Sequence, residues 1–344
     1  MKNLVIRVDA DYKTGSGHFM RCLALAESWK EKVGDVFFIM NENEPFKKRI
    51  IDEGMNYIPN FNDSGTISDA EFFIEKSQKL NAYWTVVDGY VFKEDFFFKL
   101  KKNSLNILMF DDDGLLNHYS ADIVLNQNLH GESNWYINKK EDFTKLLIGT
   151  KYTLLRKEFL KYLSYKKEIS DYGKNILITL GGSDLHNYSL KILKSLNNLN
   201  LKDLEIILLI GPNNTHENSL KEYINNSKIN VKLIKNTNDM PTLMKWADLV
   251  FSGGGSTVWE LAFMGVPTIV GASSDVEEVL IKGLNENNLF KTVGKLDSIN
   301  EIELSNLFHE LIINESIREK MNFDGKKYVD GYGYKRVINA MLNE

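Results

Sequence analysis

Short, uninterrupted apolar runs recur along the chain, and they limit what it can become more than any other feature. NLVIRV (3–8), DVFFIM (35–40), YWTVV (83–87) and LNILMF (105–110) form a first series. NILITL (175–180), LEIILLI (204–210), NVKLI (230–234), DLVFS (248–252) and PTIVG (267–271) form a second. Runs of this length without polar alternation read as strands buried on both faces, as in parallel sheets covered by helices. The intervening segments supply those helices. Phe19, Cys22, Leu23, Ala26 and Trp29 recur at helical spacing, and residues 186–196 and 257–264 also read as helices. Strand and helix thus alternate in two series, which predicts two doubly wound, Rossmann-like α/β domains. The charged stretch RKEFLKYLSYKKEISDYGK (156–174) separates the series and marks the junction. The expected boundaries are 1–160, 172–320 and a C-terminal helical segment, 321–344, interrupted by DGYGY.

Bulk properties remove several classes of function. The net charge of −5 over 344 residues provides no basic field for nucleic acid or anionic membrane. No apolar run approaches the ~20 residues that a membrane-spanning helix needs. The opening MKNLVIRVDA reads as a strand rather than a secretion signal, so a cytoplasmic protein is expected. Cys22 is the single cysteine, which leaves no internal disulfide or cysteine metal cluster and reads as a small buried residue on a helix. A monomer acting on a small molecule, without cofactor or metal, is the expectation.

Three strand-to-helix turns carry glycines, and each leaves backbone N–H groups at a helix start, where anions bind. The first is Gly15-Ser16-Gly17-His18. It is not a dinucleotide fingerprint, because Met20 fills the third glycine position. His18 at the helix start meets the positive end of the macrodipole, which favours a neutral imidazole able to accept a proton from water. The plain alternative is a helix-end histidine without a role. The second turn is LGGSDLHN (180–187), in which Gly181 and Gly182 allow close approach of a ligand. Asp184 either contacts that ligand or caps the following helix. The third is SGGGSTVWELAFMGVPTIV (252–270), where N–H groups near Gly254, Gly255, Ser256 and Thr257 could hold a diphosphate. Glu260 is either the partner of Thr257 in a capping box or an acceptor for the two hydroxyls of a ribose. Asp88 and Tyr90, in VVDGY, follow another strand end and face the same crevice. The run Asp111-Asp112-Asp113 has magnesium-type ligands, but adjacent carboxylates point in different directions, so it reads as a solvated turn.

RVDADYKTGSGHFMRCLALA, VVDGY, FDDD, ADIVLNQN, YTLLRKEF, LGGSD..N and SGGGSTVWELAFMGVP follow one another in this chain. In that order they resemble the UDP-2,4-diacetamido-2,4,6-trideoxy-β-L-altropyranose hydrolases of pseudaminic acid synthesis and the related spore-coat polysaccharide proteins. The last motif is also similar to that of MurG-type glycosyltransferases. The resemblance covers about residues 4 to 270. It implies a GT-B fold, two Rossmann-like domains facing across a cleft, with a UDP-sugar as substrate. It implies that Glu260 binds ribose, that Gly254 to Thr257 hold the diphosphate, and that Tyr90 lines the sugar site. Gly15, Ser16 and Gly17 of the first turn, with Gly182, Ser183, Asp184 and Asn187 of the second, complete the expected substrate-binding set. His18 then activates a water that displaces UDP with inversion at the anomeric carbon, without a metal. One departure stands out: an Asn-Gln pair that contacts the sugar in that family is replaced here by ASSDVEEVLIKG, with Asp275, Glu277 or Glu278 in its place. The alternative reading is a GT-B glycosyltransferase using a UDP-amino-sugar donor, and a non-catalytic nucleotide-sugar binding protein is a third.

Overall fold

The computed structural model describes residues 2–10, 17–199, 201 and 203–343. The chain divides into two compact units, Met1–Leu160 with Gly331–Glu344, and Lys161–Asp330. The first runs β1 (Asn3–Val8), α1 (Gly17–Lys32), β2 (Val36–Met40), α2 (Glu44–Asp52), β3 (Asn56–Pro59), α3 (Ile67–Lys79) and β4 (Ala82–Asp88). It continues with α4 (Glu94–Lys102), β5 (Ile107–Phe110), β6 (Ile123–Asn126), β7 (Lys145–Ile148) and the short α5 (Lys157–Leu160). Its sheet is parallel in the order β3-β2-β1-β4-β5-β6-β7.

Alternation along β1 shows why an uninterrupted apolar run is needed. Leu4, Ile6 and Val8 pack on one face with Phe19, Cys22 and Trp29 of α1. Val5 points the other way, into a cluster with Phe73 of α3 and Phe97 of α4. Both faces are covered, so neither can be polar. The exception is Arg7, fully buried on the α3 side, whose guanidinium pairs with Asp69 at 2.9 Å and with Asp9 at 2.8 Å.

The second unit runs β8 (Asn175–Thr179), α6 (Tyr188–Asn197), β9 (Glu205–Ile210), α7 (Glu217–Asn226), β10 (Asn230–Lys235), α8 (Met240–Trp246) and β11 (Leu249–Gly253). It closes with α9 (Thr257–Met264), β12 (Thr268–Ala272), α10 (Asp275–Glu286), β13 (Lys291–Lys295), α11 (Glu301–Ile313) and α12 (Glu315–Tyr328). Its parallel order is β10-β9-β8-β11-β12-β13. Winding reverses between β1 and β4 in one unit and between β8 and β11 in the other. In open α/β sheets the crevice at such a reversal, outside the carboxyl ends of the strands, is where ligands bind.

The C-terminal segment, 321–344, is shared between the units. α12 stays with the second, while α13 (Gly333–Leu342) belongs to the first and lays Tyr334, Val337, Ile338 and Met341 into the α1 face of its core. The Trp84 indole donates to the Met341 carbonyl at 2.7 Å and ties the helix down. Glycine is required where α13 begins, because a Cβ on Gly333 would lie 2.1 Å from the Thr153 carbonyl oxygen.

One buried acid on α1 has a stability consequence. Burial pushes the Glu27 carboxyl up to about 7, against a hydrogen bond from the Lys157 backbone N–H, and the Glu53 and Glu158 charges push the same way. A carboxyl raised in the folded state contributes stability below its unfolded value and loses it as pH rises through the folded one. Glu27→Gln is therefore expected to stabilise the protein at pH 8 by up to about 3 kcal/mol, with the gain gone at pH 4. Urea unfolding at the two pH values checks this, and an equal effect at both would show that charging of Glu27 is not the cause.

Candidate active site

The polar side chains gathered at the β1/β4 reversal come from three carboxyl-end loops and one helix. α1 starts at Gly17, so His18 and Arg21, three apart, share a helix face. That face meets Asp88, the last residue of β4. His18 Nδ1 lies 2.6 Å from Asp88 Oδ1. Arg21 Nε donates to Asp88 Oδ2 at 2.6 Å and its Nη2 to Oδ1 at 2.7 Å. The other side of the same guanidinium reaches Asp112, just beyond β5, with Nη1–Oδ1 at 2.7 Å and Nη2–Oδ2 at 2.9 Å. Asn128, beyond β6, donates to Asp112 Oδ1 at 2.7 Å, and the Tyr90 hydroxyl donates to Oδ2 at 3.2 Å. Tyr90 also stands edge-on to the imidazole, with ring centroids 4.8 Å apart. Phe110 backs the guanidinium at 4.7 Å.

The electrostatics follow from burial and this one cation. Burial alone would raise the Asp88 carboxyl. The charges and hydrogen bonds of Arg21 and His18 outweigh burial and hold it well below the usual carboxylate range. Asp112 is lowered in the same way, burial being overcome by Arg21. An ionised Asp88 can only accept, so at 2.6 Å the imidazole donates from Nδ1 and Nε2 is left as the proton-accepting nitrogen. The 3.2 Å approach of Arg21 Nη2 to the same Nδ1 is the looser contact. That Nη2 already donates to both carboxylates. Arg21 lies between the two acids and supplies the positive charge there itself.

The acidic run is not the solvated turn that its sequence suggests. Asp111 is buried, taking the Gly114 N–H at 2.9 Å and the Tyr136 hydroxyl at 2.7 Å. Asp112 turns into the site, and only Asp113 is exposed. Cys22 is buried as expected, with its thiol 3.5 Å from Asp88 Oδ2. Gly15 and Ser16 lie outside the described residues. Gly17 opens α1 immediately before His18.

In the second unit, the turns after β8 and β11 flank the other reversal. Gly182 gives its carbonyl to the Asn213 N–H at 3.0 Å. Asp184 caps α6: its carboxylate takes the N–H groups of Tyr188 at 2.8 Å and Ser189 at 3.0 Å. Ser183 is half-buried between them, and Asn187 holds the N-cap position in a left-handed conformation with its side-chain amide 3.5 Å from the Ser219 hydroxyl. Beyond β11, Thr257 is the first residue of α9, and Ser256, at the N-cap, forms no side-chain capping hydrogen bond. Thr257 is thus not the cap that a Thr257–Glu260 capping box needs. Glu260 sits half-buried in the first turn of α9. Gly254 must be glycine because α10 comes close: a Cβ would lie 2.9 Å from the Glu277 Cβ.

The three acids that replace the amide pair behave differently. Asp275 and Glu278 pair with Lys295 at 2.8 and 3.2 Å. Glu277 turns towards Gly253 and Gly255, with Oε2 taking the Ser273 N–H and hydroxyl, both at 2.7 Å.

Sequence reasoning singled out His18, Asp88 and Tyr90, and the structure brings these three together. It missed Arg21, Asp112 and Asn128. Arg21 had a readable signal, its three-residue spacing from His18. The other two had none, because the direction of a loop side chain is not periodic.

Residues 175–278 match the Glycosyltransferase family 28 C-terminal domain. The chain is 31% identical over 278 residues to an uncharacterized protein of Methanocaldococcus jannaschii, covering 78% of this chain and 55% of that one. It therefore spans little more than half of that relative's length. It is 25% identical over 348 residues to the spore coat polysaccharide biosynthesis protein SpsG of Bacillus subtilis, covering 98% and 97% of the two. Among solved structures, MurG of Acinetobacter baumannii superposes over 100% of both chains with a TM-score of 0.74 at 16% identity. The UDP co-structure of S. aureus MnaA covers 100% of this chain and 97% of its own, with a TM-score of 0.70 at 16% identity. The fold is GT-B, built of two parallel-sheet α/β domains.

Removing Arg21 leaves two buried carboxylates without their cation. Arg21→Met is expected to cost about 3–5 kcal/mol of stability at pH 7. Both acids are depressed in the folded state, so their contribution is present above about pH 4 and is lost as pH falls through the folded values. The gap to wild type should accordingly narrow in acid. Chemical unfolding between pH 7 and pH 3 measures it, and a loss under 1 kcal/mol at pH 7 would contradict this account.

Proposed function

We propose that the protein hydrolyses a UDP-linked 2,4-diacetamido-2,4,6-trideoxyhexose to UDP and the free sugar. The observation that carries the reading is the 2.6 Å contact between His18 Nδ1 and the buried Asp88 carboxylate, at the winding reversal of the first sheet. A carboxylate on Nδ1 fixes the tautomer and leaves Nε2 to act as general base, the same division of labour as in hydrolytic triads. Nε2 takes a proton from water, and the oxygen forms a bond to the anomeric carbon. The bond from that carbon to the diphosphate oxygen breaks, UDP leaves with the electron pair, and the configuration inverts. Tyr90 packs against the imidazole and lines the sugar.

The second unit supplies the nucleotide half. The N–H groups from Gly254 to Thr257 hold the diphosphate, Glu260 accepts the ribose hydroxyls, and Gly182, Ser183 and Asn187 border the ligand. Asp184 keeps that turn in shape through its cap. Gly15, Ser16 and Gly17 complete the substrate-binding set in this reading. Support for a nucleotide-sugar comes from the likeness to SpsG, named for spore coat polysaccharide biosynthesis, and from MnaA, a GT-B neighbour solved with UDP. A transferase using a UDP-amino-sugar donor is the second reading, favoured by the family 28 match over residues 175–278.

Incubation with the UDP-sugar and no acceptor separates the two. Release of both UDP and reducing sugar is expected. Release that requires an added acceptor would sink the hydrolase. His18→Ala should lower kcat by about 10²–10⁴-fold, because the imidazole acts in the transition state, while the Kd for UDP changes by less than about twofold.

A further inference from the structure

The cluster around His18 carries an unbalanced charge. Asp88 and Asp112 are two carboxylates, and Arg21, bonded to both, is the cation between them. With a neutral imidazole the set holds one negative charge more than the guanidinium balances. With a protonated imidazole it holds none. The other groups facing it leave that count alone. From α1, the Cys22 thiol lies against Asp88, and burial with the Asp88 charge raises it well above its ordinary value. The Tyr90 phenol beyond β4 is pushed up by burial and Asp112. His130, beyond β6, approaches the Asp112 carbonyl at 3.3 Å and is lowered by its burial. Arg7 of β1 and Asp9 just beyond it pair with each other, and Arg7 also pairs with Asp69. Asp111 is turned to Gly114 and Tyr136, and Asp113 is exposed. Among the described residues none of these supplies a second cation to Asp112.

We propose that Asp112 is a positioning residue for the reaction: acting through Arg21, it gives the His18 cluster a net negative charge that is neutralised when the imidazole takes the proton of the attacking water. The inference rests on His18 as the base. Asp88 and Arg21 alone would balance, and the imidazolium would then arise as a lone positive charge in a mostly buried site. The second carboxylate removes that obstacle. It also explains why a guanidinium, able to serve two carboxylates in one plane, fills this position.

Asp112→Asn removes the charge and keeps an oxygen for Arg21. Asn128→Ala removes a hydrogen bond to Asp112 and keeps the charge. Asp112→Glu keeps the charge at altered length. The readout is the NMR titration of the His18 ring in the whole protein without ligand, after a thermal melt of each variant. The midpoint should fall by about half to one pH unit in Asp112→Asn and stay at the wild-type position in Asn128→Ala and Asp112→Glu. With the UDP-sugar, kcat of Asp112→Asn should drop about tenfold or more, KM less than about threefold, and the acid limb of kcat should move to lower pH. An unmoved midpoint in Asp112→Asn, or an equal fall in Asn128→Ala, overturns the proposal. A midpoint that falls as expected in a protein that turns over no UDP-sugar would instead remove the hydrolase reading and leave the charge account standing.

Discussion

A parallel sheet cannot be closed by hairpins. Each strand must be followed by a crossover, and in both units the crossovers run one way along the sheet and then the other. The neighbours at that reversal, β1 with β4 and β8 with β11, send their chains out at the same end of the sheet but in opposite directions. Among the described residues no crossover helix joins these neighbours across the gap between them. Val8 of β1 pairs in register with Asp88 of β4, so the chain leaving β1 starts beside that carboxylate and returns as α1. The meeting of His18 and Arg21 with Asp88 is a consequence of strand order before it is a consequence of any side-chain preference.

Two buried guanidiniums border the carboxyl end of β1, and they do different work. Arg7 pairs with Asp69 and Asp9, and Asp69 also takes the Asn60 amide at 2.8 Å and the Gly65 N–H at 2.8 Å. That cluster fastens the 60–66 loop and Asn41, just beyond β2, to the end of the strand. Arg21 is held as firmly, yet its carboxylates extend to an imidazole and a phenol at an open edge. Burying either pair is expensive, and well-packed apolar groups would often serve stability as well. Where the network stops at backbone, fixing a loop is enough to account for it. Where it runs on to a titratable ring, the cost is better explained by chemistry.

The buried strands were legible because both faces demand apolar residues. β1 was read at its observed limits, and β2, β4, β5, β8, β9, β10, β11 and β12 within two residues of theirs. β3, β7 and β13 were not read: the first two are four residues long, and all three are edge strands facing water on part of their surface. β6 was missed although fully buried, since IVLN is too short a run to stand out. α9 was read at its observed ends, between the glycine turn and Gly265. The interruption in the last segment was visible as DGYGY, but the passage of the chain back to the first unit was not. Adjacency in space between Trp84 and Met341 leaves no trace in local periodicity. The same limit hid Asp112. Its two neighbours in the run fold one into the core and one into solvent, and nothing in three identical letters distinguishes them.

The two units differ in the kind of group they present beyond the carboxyl ends of their strands. At the β11–α9 turn, the proposed diphosphate site, the groups available are mainly backbone N–H, shaped by the close approach of α10 on Gly254. Such a turn suits any diphosphate and is indifferent to what is attached to it. At the β1/β4 reversal the groups are side chains with defined charges and a fixed tautomer, and under the proposed function these choose between water and another hydroxyl as the attacking partner. The family 28 match lies wholly within the second unit, at 175–278. It bears on that unit alone. In the proposed function the nature of the reaction rests with a set of residues outside it: one imidazole, one guanidinium, and two carboxylates where a single one would have balanced the charge.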